Sequence, residues 1–202
     1  MTRRLAVTLA AVLLAFVPDI AHAHAPIPGI GDFYSGMLHP WIVPPHILAI
    51  VGLGLLTGQR GPRYIEISLL TFAASIALGL VGAGYGIAGP PETALLALAA
   101  VEGITVAAFP RLPRPLCGVL AFTTGILVGF DSAPETPTLR ATLMALGGTG
   151  IGASLALVYS AGLADYVKQP WQQIGVRVLG SWIAASSILV LALAMAGRLP
   201  SR

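Results

Sequence analysis

Six long apolar stretches follow one another along the chain, separated by short runs rich in proline, glycine and charged residues. About 20 consecutive apolar residues are enough to span the hydrocarbon core of a bilayer as a helix. The pattern therefore predicts an all-α, polytopic membrane protein with six transmembrane helices. The predicted helices cover residues 35–57, 64–87, 92–109, 112–130, 138–164 and 175–196. Glycines are dense at residues 79–86 and 147–152, which predicts surfaces where helices pack closely.

A shorter apolar run at the N-terminus has the organisation of a secretory signal. Arg3 and Arg4 precede the apolar residues 5–17, and the small residues Ala21 and Ala23 form a cleavage pattern. We therefore expect residues 1–23 to be a cleaved signal peptide and residues 24–202 to form the six-helix transmembrane domain. An uncleaved signal anchor is the alternative interpretation.

The composition agrees with a chain that lies in a lipid bilayer. Hydrophobic residues make up 56% of the chain and charged residues only 9%, against about 25% charged residues in soluble domains. So few charges cannot cover a water-exposed surface. The chain has no cluster of basic residues, which argues against nucleic acid as a partner. It also has no nucleophile elbow, phosphate loop or CxxC pair, so no enzymatic activity is predicted.

The distribution of basic residues predicts the orientation of the helices. Loops on the cytoplasmic side of a membrane carry an excess of lysine and arginine. Basic residues concentrate in and beside the loops after the first, third and fifth predicted helices: Arg60, Arg63, Arg111, Arg114, Lys168 and Arg177. These loops are therefore predicted to be cytoplasmic, and the mature N-terminus is predicted to face outward.

Two histidines and a pair of prolines interrupt the first predicted helix. His39 and His46 are seven residues apart, with Pro44 and Pro45 between them. The prolines lack the N–H groups that a continuous helix needs, so the helix must kink or break there. Imidazole suits nickel, cobalt, copper and zinc, and two imidazoles supply half of a four-coordinate site. The alternative is that both rings lie at the level of the lipid head groups as amphipathic residues.

Four further positions are candidate metal ligands. As the mature N-terminal residue, His24 would present its α-amine and its ring nitrogen together, a chelate suited to copper or nickel; a terminus without a function is the alternative. Glu102 lies midway along the third predicted helix, where a carboxyl group should face the interior, hold a proton or bind a cation. Glu92 and Asp131 lie at outer helix ends, either as loop charges or as an acidic mouth that concentrates cations.

Several short motifs make the chain resemble the HupE/UreJ family of membrane proteins. They are the signal ending AHAH, the sequence GDFYSGMLHP before the first helix, PPE before the third helix, and the RLPRPL turn. The family motif H-P-x-x-G-x-D-H corresponds to HPWIVPPH here, with Val43 and Pro45 in place of glycine and aspartate. A second family stretch, H-G-x-A-H-G-x-E, corresponds to VGFDSAPE. Both of its histidines are missing, and Asp131 is a candidate substitute ligand.

The resemblance implies a function in metal uptake. The family occurs with hydrogenase and urease genes and is regarded as a group of nickel or cobalt permeases. It implies a permease in the bacterial inner membrane that admits a divalent ion (nickel, cobalt or copper) from the periplasm. His24 and the acidic outer residues would capture the ion, His39 and His46 would bind it, and Glu102 would relay it or exchange it for a proton. No tightly bound cofactor is implied. The alternative is a non-transporting membrane protein, either a metal-binding accessory protein or a copper-related protein.

Overall fold

The computed structural model describes residues 29–87, 92–134 and 136–197, and over these residues it contains seven α-helices and no β-strand. The all-α prediction is therefore confirmed for the described part. The helices are α1 (Asp32–Ile42), α2 (Pro44–Gly58), α3 (Pro62–Gly84), α4 (Glu92–Ala108), α5 (Arg114–Phe130), α6 (Leu139–Tyr166) and α7 (Pro170–Met195). The predicted signal peptide and His24 lie outside the described residues, so the cleavage site stays a prediction.

Proline and glycine set most of the helix boundaries. Helices α2, α3, α5 and α7 each have a proline in their first two positions, where the missing N–H has no intrahelical partner to lose. Helix α6 instead begins after Thr138, whose side chain accepts a hydrogen bond from the N–H of Ala141 at 3.2 Å. This is the usual way for a threonine to cap a helix N-terminus.

The first predicted span is broken into two helices. Val43 has an extended conformation between α1 and α2, and the two helix axes are bent by 71°. A residue before proline is pushed out of the helical region by the proline ring. The break therefore falls at Val43, and Pro44 and Pro45 start the next helix. This confirms the kink or break expected from the proline pair.

By length and composition, the structure contains fewer helices that could span a membrane than the sequence pattern predicts. Three helices, α3, α6 and α7, are long and apolar enough to cross a membrane, and the bent pair α1–α2 makes up to four. Helices α4 and α5 have 17 residues each. At about 1.5 Å per residue this is roughly 25 Å, short of the ~30 Å hydrocarbon core. The six-span arrangement therefore stays a prediction.

Helix α2 lies at the centre of the bundle. It contacts all six of the other described helices, and eleven of its 15 residues are buried. The remaining helices associate most extensively as three pairs around it, α1 with α6, α3 with α5 and α4 with α7. Every polar group of α2 is consequently held inside the protein rather than against lipid.

Glycines allow two of these pairs to pack backbone to backbone. A Cβ atom on Gly148 would lie 2.0 Å from the carbonyl oxygen of Phe33, and a Cβ atom on Gly152 would lie 2.0 Å from that of Met37. In the α3–α5 pair, a Cβ atom on Gly79 would lie 2.7 Å from the carbonyl oxygen of Ile126. Both glycine-rich stretches thus include close contact surfaces, as predicted.

Long polar side chains bind the C-terminal end of α4. Gln59 donates a hydrogen bond to the carbonyl of Val106 (3.5 Å), Arg177 to that of Ala107 (2.7 Å) and Arg60 to that of Pro110 (3.1 Å). Carbonyls at a helix C-terminus have no intrahelical partner, and a positive charge there interacts favourably with the negative end of the helix dipole. Partial burial lowers the pKa of Arg60 from its ordinary value, but an arginine keeps its charge at neutral pH.

Candidate metal site and buried acid

The helix break brings the two histidines into contact. His39 lies in the last turn of α1 and His46 near the start of α2, and their ring centroids are 5.2 Å apart with the ring planes at 71°. In a straight helix, seven residues span about 10 Å along the axis. The bend at Val43 is therefore what places one imidazole against the other. His46 is completely buried.

A carboxylate from a distant part of the chain pairs with His46. The Nε2 atom of His46 lies 2.9 Å from Oδ2 of Asp131, and Asp131 is the capping residue directly after the last residue of α5. Its side chain retains 14% exposure. Asp131 thus supplies a carboxylate to this histidine from a second helix. The position next to His46 on α2 itself is occupied by Pro45 and not by an acidic residue.

This hydrogen bond determines which ring nitrogen of His46 is available. A carboxylate only accepts hydrogen bonds, so Nε2 carries the hydrogen. The other nitrogen, Nδ1, is buried and has no hydrogen-bond partner among the described residues. Histidines that bind metals commonly donate their second N–H to a carboxylate, which orients the ring and increases its basicity. The geometry of Asp131 and His46 is that of such a supporting pair.

The cluster is smaller than a complete metal site. Within residues 29–87, 92–134 and 136–197, no three histidine, cysteine, aspartate or glutamate side chains are grouped so that they could hold a metal ion. His46 contacts both His39 and Asp131, but Asp131 engages its Nε2 atom. A metal ion at this position would need further ligands, or a rearrangement of the three side chains.

Glu102 occupies a separate buried position on α4. Its Oε1 atom accepts a hydrogen bond from the hydroxyl of Thr124 at 2.7 Å, and both residues are completely buried. Its Oε2 atom has no hydrogen-bond partner among the described residues. Gly52 of α2 lies close to the same carboxyl group, since a Cβ atom on it would lie 3.2 Å from Oε2. The interior position expected for Glu102 is therefore confirmed in the described structure.

The remaining candidate ligands are Glu92 and His24. Glu92 is the first residue of α4, where a negative charge is favourable at the helix N-terminus, and it forms part of no three-ligand group in the described chain. His24 lies outside the described residues. Thr124 and Gly52, which contact Glu102, were not distinguished by the sequence, because a threonine in an apolar helix usually bonds to its own backbone.

The fold and these buried groups define a class of protein. Three of its helices, or up to four spans with the bent pair, are long and apolar enough to cross a membrane, and the bundle completely buries one histidine, His46, and one acidic residue, Glu102. Buried ionisable groups in membrane proteins typically mark the paths of ions or substrates. The chain is thus an α-helical membrane protein with ionisable groups buried in an apolar interior.

Sequence similarity identifies the family. Residues 10–190 match the profile of the HupE / UreJ protein family, so the chain belongs to that family. The chain is also 29% identical over 189 residues to Protein HupE of Rhizobium leguminosarum bv. viciae, an alignment that covers 93% of this chain and 97% of that protein. No solved structure matches the chain.

Proposed function

We propose that the protein is an inner-membrane permease for a divalent transition-metal ion, with nickel or cobalt favoured. The observation that carries the proposal is the contact of His39 with His46 beside Asp131. Membership of the HupE/UreJ family supports it, since the family implies a nickel or cobalt context beside hydrogenase or urease. The six-span topology, the cleaved signal and a periplasmic N-terminus are parts of the same proposal.

The outer site would bind the ion through imidazole nitrogens. Nδ1 of His46 has no hydrogen-bond partner in the described structure, and the ring of His39 contacts the ring of His46. Asp131 holds the His46 ring from the other side and takes over the role of the acid that Pro45 replaces. Glu92 and His24 would capture the ion from solution before it reaches this pair.

Glu102 would act deeper in the membrane, where it receives the ion or exchanges it for a proton. It adjoins Gly52, six residues beyond His46 on α2, which is about 9 Å along the helix axis. The membrane potential provides about 2.3 kcal/mol per charge per 100 mV, and twice this for a divalent ion. Inward transport therefore needs no ATP-binding motif, and the sequence contains none.

Uptake of nickel by the purified protein in liposomes tests the proposal. The double variant His39→Ala/His46→Ala should lose uptake, and Asp131→Asn should weaken nickel binding by about 10–100-fold, because the carboxylate supports a ligand. Asp32→Asn is the matched control. Asp32 is an acidic residue at the same predicted outer end of the bundle, and it lies seven residues before His39 in the sequence.

The result also separates the permease from its alternative. Nickel binding in detergent without flux in liposomes would indicate a metal-binding accessory protein rather than a permease. Unchanged uptake in the double histidine variant, at normal protein levels, would show that these rings do not form the site.

A further inference from the structure

A cavity of about 260 Å³ lies where the ends of four helices meet, far along the chain from the histidine site. The last residues of α2 and α6 line it, together with Phe109 after α4 and the first two turns of α7. Its polar lining side chains are Gln59, Lys168, Gln173 and Arg177. The basic loops predict this end of the bundle to be cytoplasmic. We call this space the basic cavity.

The charge around the basic cavity is positive. Lys168 and Arg177 line it. A third cation adjoins it, because the guanidinium of Arg60 lies over the ring of Phe109, 5.5 Å from its centroid. No acidic residue of the described chain lines the cavity, although Asp165 forms an ion pair with Lys168 at 2.8 Å. Three cations against one carboxylate leave a net charge of +2, which attracts an anion.

The two lining cations have hydrogen-bond donors available. Nε of Arg177 donates to the carbonyl of Ala107 at 2.7 Å, and its two terminal nitrogens donate to no group among the described residues. Lys168 carries three hydrogens on its ammonium group, and its one described partner is Asp165. Arginine binds a phosphate through parallel N–H groups, and lysine binds it as a point charge. The pair is therefore suited to a phosphate group.

The rest of the wall favours a phosphate that is attached to apolar chains. Phe109 and Ile174 line the basic cavity, and both side chains are exposed. Tyr166 and Trp171, which precede and follow the loop between α6 and α7, are 82% and 72% exposed. Tyrosine and tryptophan concentrate at the level of the lipid head groups in membrane proteins. A soluble anion would leave the apolar wall against water, whereas a phospholipid covers it.

We propose that the basic cavity binds the head group of an anionic phospholipid from the cytoplasmic leaflet. Its phosphate contacts Lys168 and Arg177, and the upper part of its chains covers Phe109 and Ile174. That leaflet is rich in anionic lipids, and basic pockets between membrane helices are typical sites for their head groups. The lipid would link the end of α6 to the start of α7 beside the end of α4. This site does not depend on metal transport.

Native mass spectrometry of the full chain in a non-ionic detergent, titrated with phosphatidylglycerol, tests the proposal. Each cation near an anionic lipid contributes about fivefold in affinity. Lys168→Gln/Arg177→Gln should therefore bind about 25-fold more weakly, whereas the charge-preserving Lys168→Arg/Arg177→Lys should retain most of the affinity. Arg63→Gln/Arg111→Gln is the matched control, since it removes two exposed cations at the same predicted end that do not line the cavity.

Two comparisons on the wild type identify the occupant. Phosphatidylcholine carries the same phosphate with an attached cation, so it should bind about fivefold or more weakly than phosphatidylglycerol. Glycerol phosphate lacks the apolar chains and should compete poorly. Equal affinity for both lipids, or equal losses in the Lys168/Arg177 variant and in the control, would overturn the proposal. Binding of glycerol phosphate as tight as that of the lipid would show a site for a soluble anion instead. If the double variant does not fold, these wild-type comparisons decide.

Discussion

The substitution Gly148→Ala tests whether the close α1–α6 contact positions the histidine site. A Cβ atom on Gly148 would lie 2.0 Å from the carbonyl oxygen of Phe33 and 2.8 Å from the nitrogen of Met37. Ordinary contacts begin near 3.4 Å, so α1 must move away from α6 by roughly 1.4 Å. His39 is on the same short helix and must move with it.

Two effects of different size should follow from this displacement. Overpacking reduces stability by about 1–3 kcal/mol, and the better helix propensity of alanine returns up to about 1 kcal/mol of this. Metal sites tolerate deviations of only about 0.2 Å in ligand distance. We therefore expect a modest loss of stability but a loss of nickel affinity of about tenfold or more.

Gly147→Ala is the matched control, because a Cβ atom on Gly147 meets no other atom within 4 Å. Thermal unfolding in detergent and equilibrium dialysis with nickel measure the two effects for both variants. If Gly148→Ala binds nickel as tightly as Gly147→Ala does, the α1–α6 contact does not position the site.

Three further predictions concern other contacts. Asp131→Ala should reduce the free energy of unfolding by about 1–3 kcal/mol, because it leaves the buried Nε2 atom of His46 without a partner; equal stability in a denaturant titration would contradict this pairing. Gly125→Ala should destabilise the α3–α5 contact, where its Cβ atom would lie 2.1 Å from a serine hydroxyl, while Gly118→Ala, with a nearest atom at 4.0 Å, should be tolerated in the same melting assay. Arg177→Gln should reduce stability by about 0.3–1 kcal/mol through the lost charge at the end of α4, and this loss should shrink in high salt.

Some helix boundaries could be predicted because local chemistry determines them, whereas α7 begins at Pro170, five residues before the predicted start at 175. The prediction for the fifth span, residues 138–164, differs by two residues or fewer from Leu139–Tyr166, since a threonine cap and a polar loop mark its ends. Likewise, the effect of Pro44 and Pro45 is a property of the proline ring and its preceding residue. Neither result depends on the rest of the fold.

The pairings inside the bundle could not be predicted in the same way. Asp131 and His46 are 85 residues apart, and Glu102 and Thr124 are 22 residues apart on different helices. Whether such groups meet depends on how far each helix slides along its neighbour. That register follows from backbone contacts at glycines such as Gly79 and Gly129, which a single sequence shows as small residues without showing their partners.

The central position of α2 has a consequence for how the protein is made. Helices enter the membrane in the order of their synthesis, yet α2, among the first, contacts α4, α5, α6 and α7, which follow it. Until α5 is inserted, the buried imidazole of His46 has no Asp131 to accept its hydrogen. The early intermediate therefore exposes a glycine-rich helix that carries an unpaired histidine to lipid or to the insertion machinery. Variants that delay the later helices should be degraded during biogenesis, even where the finished protein is stable.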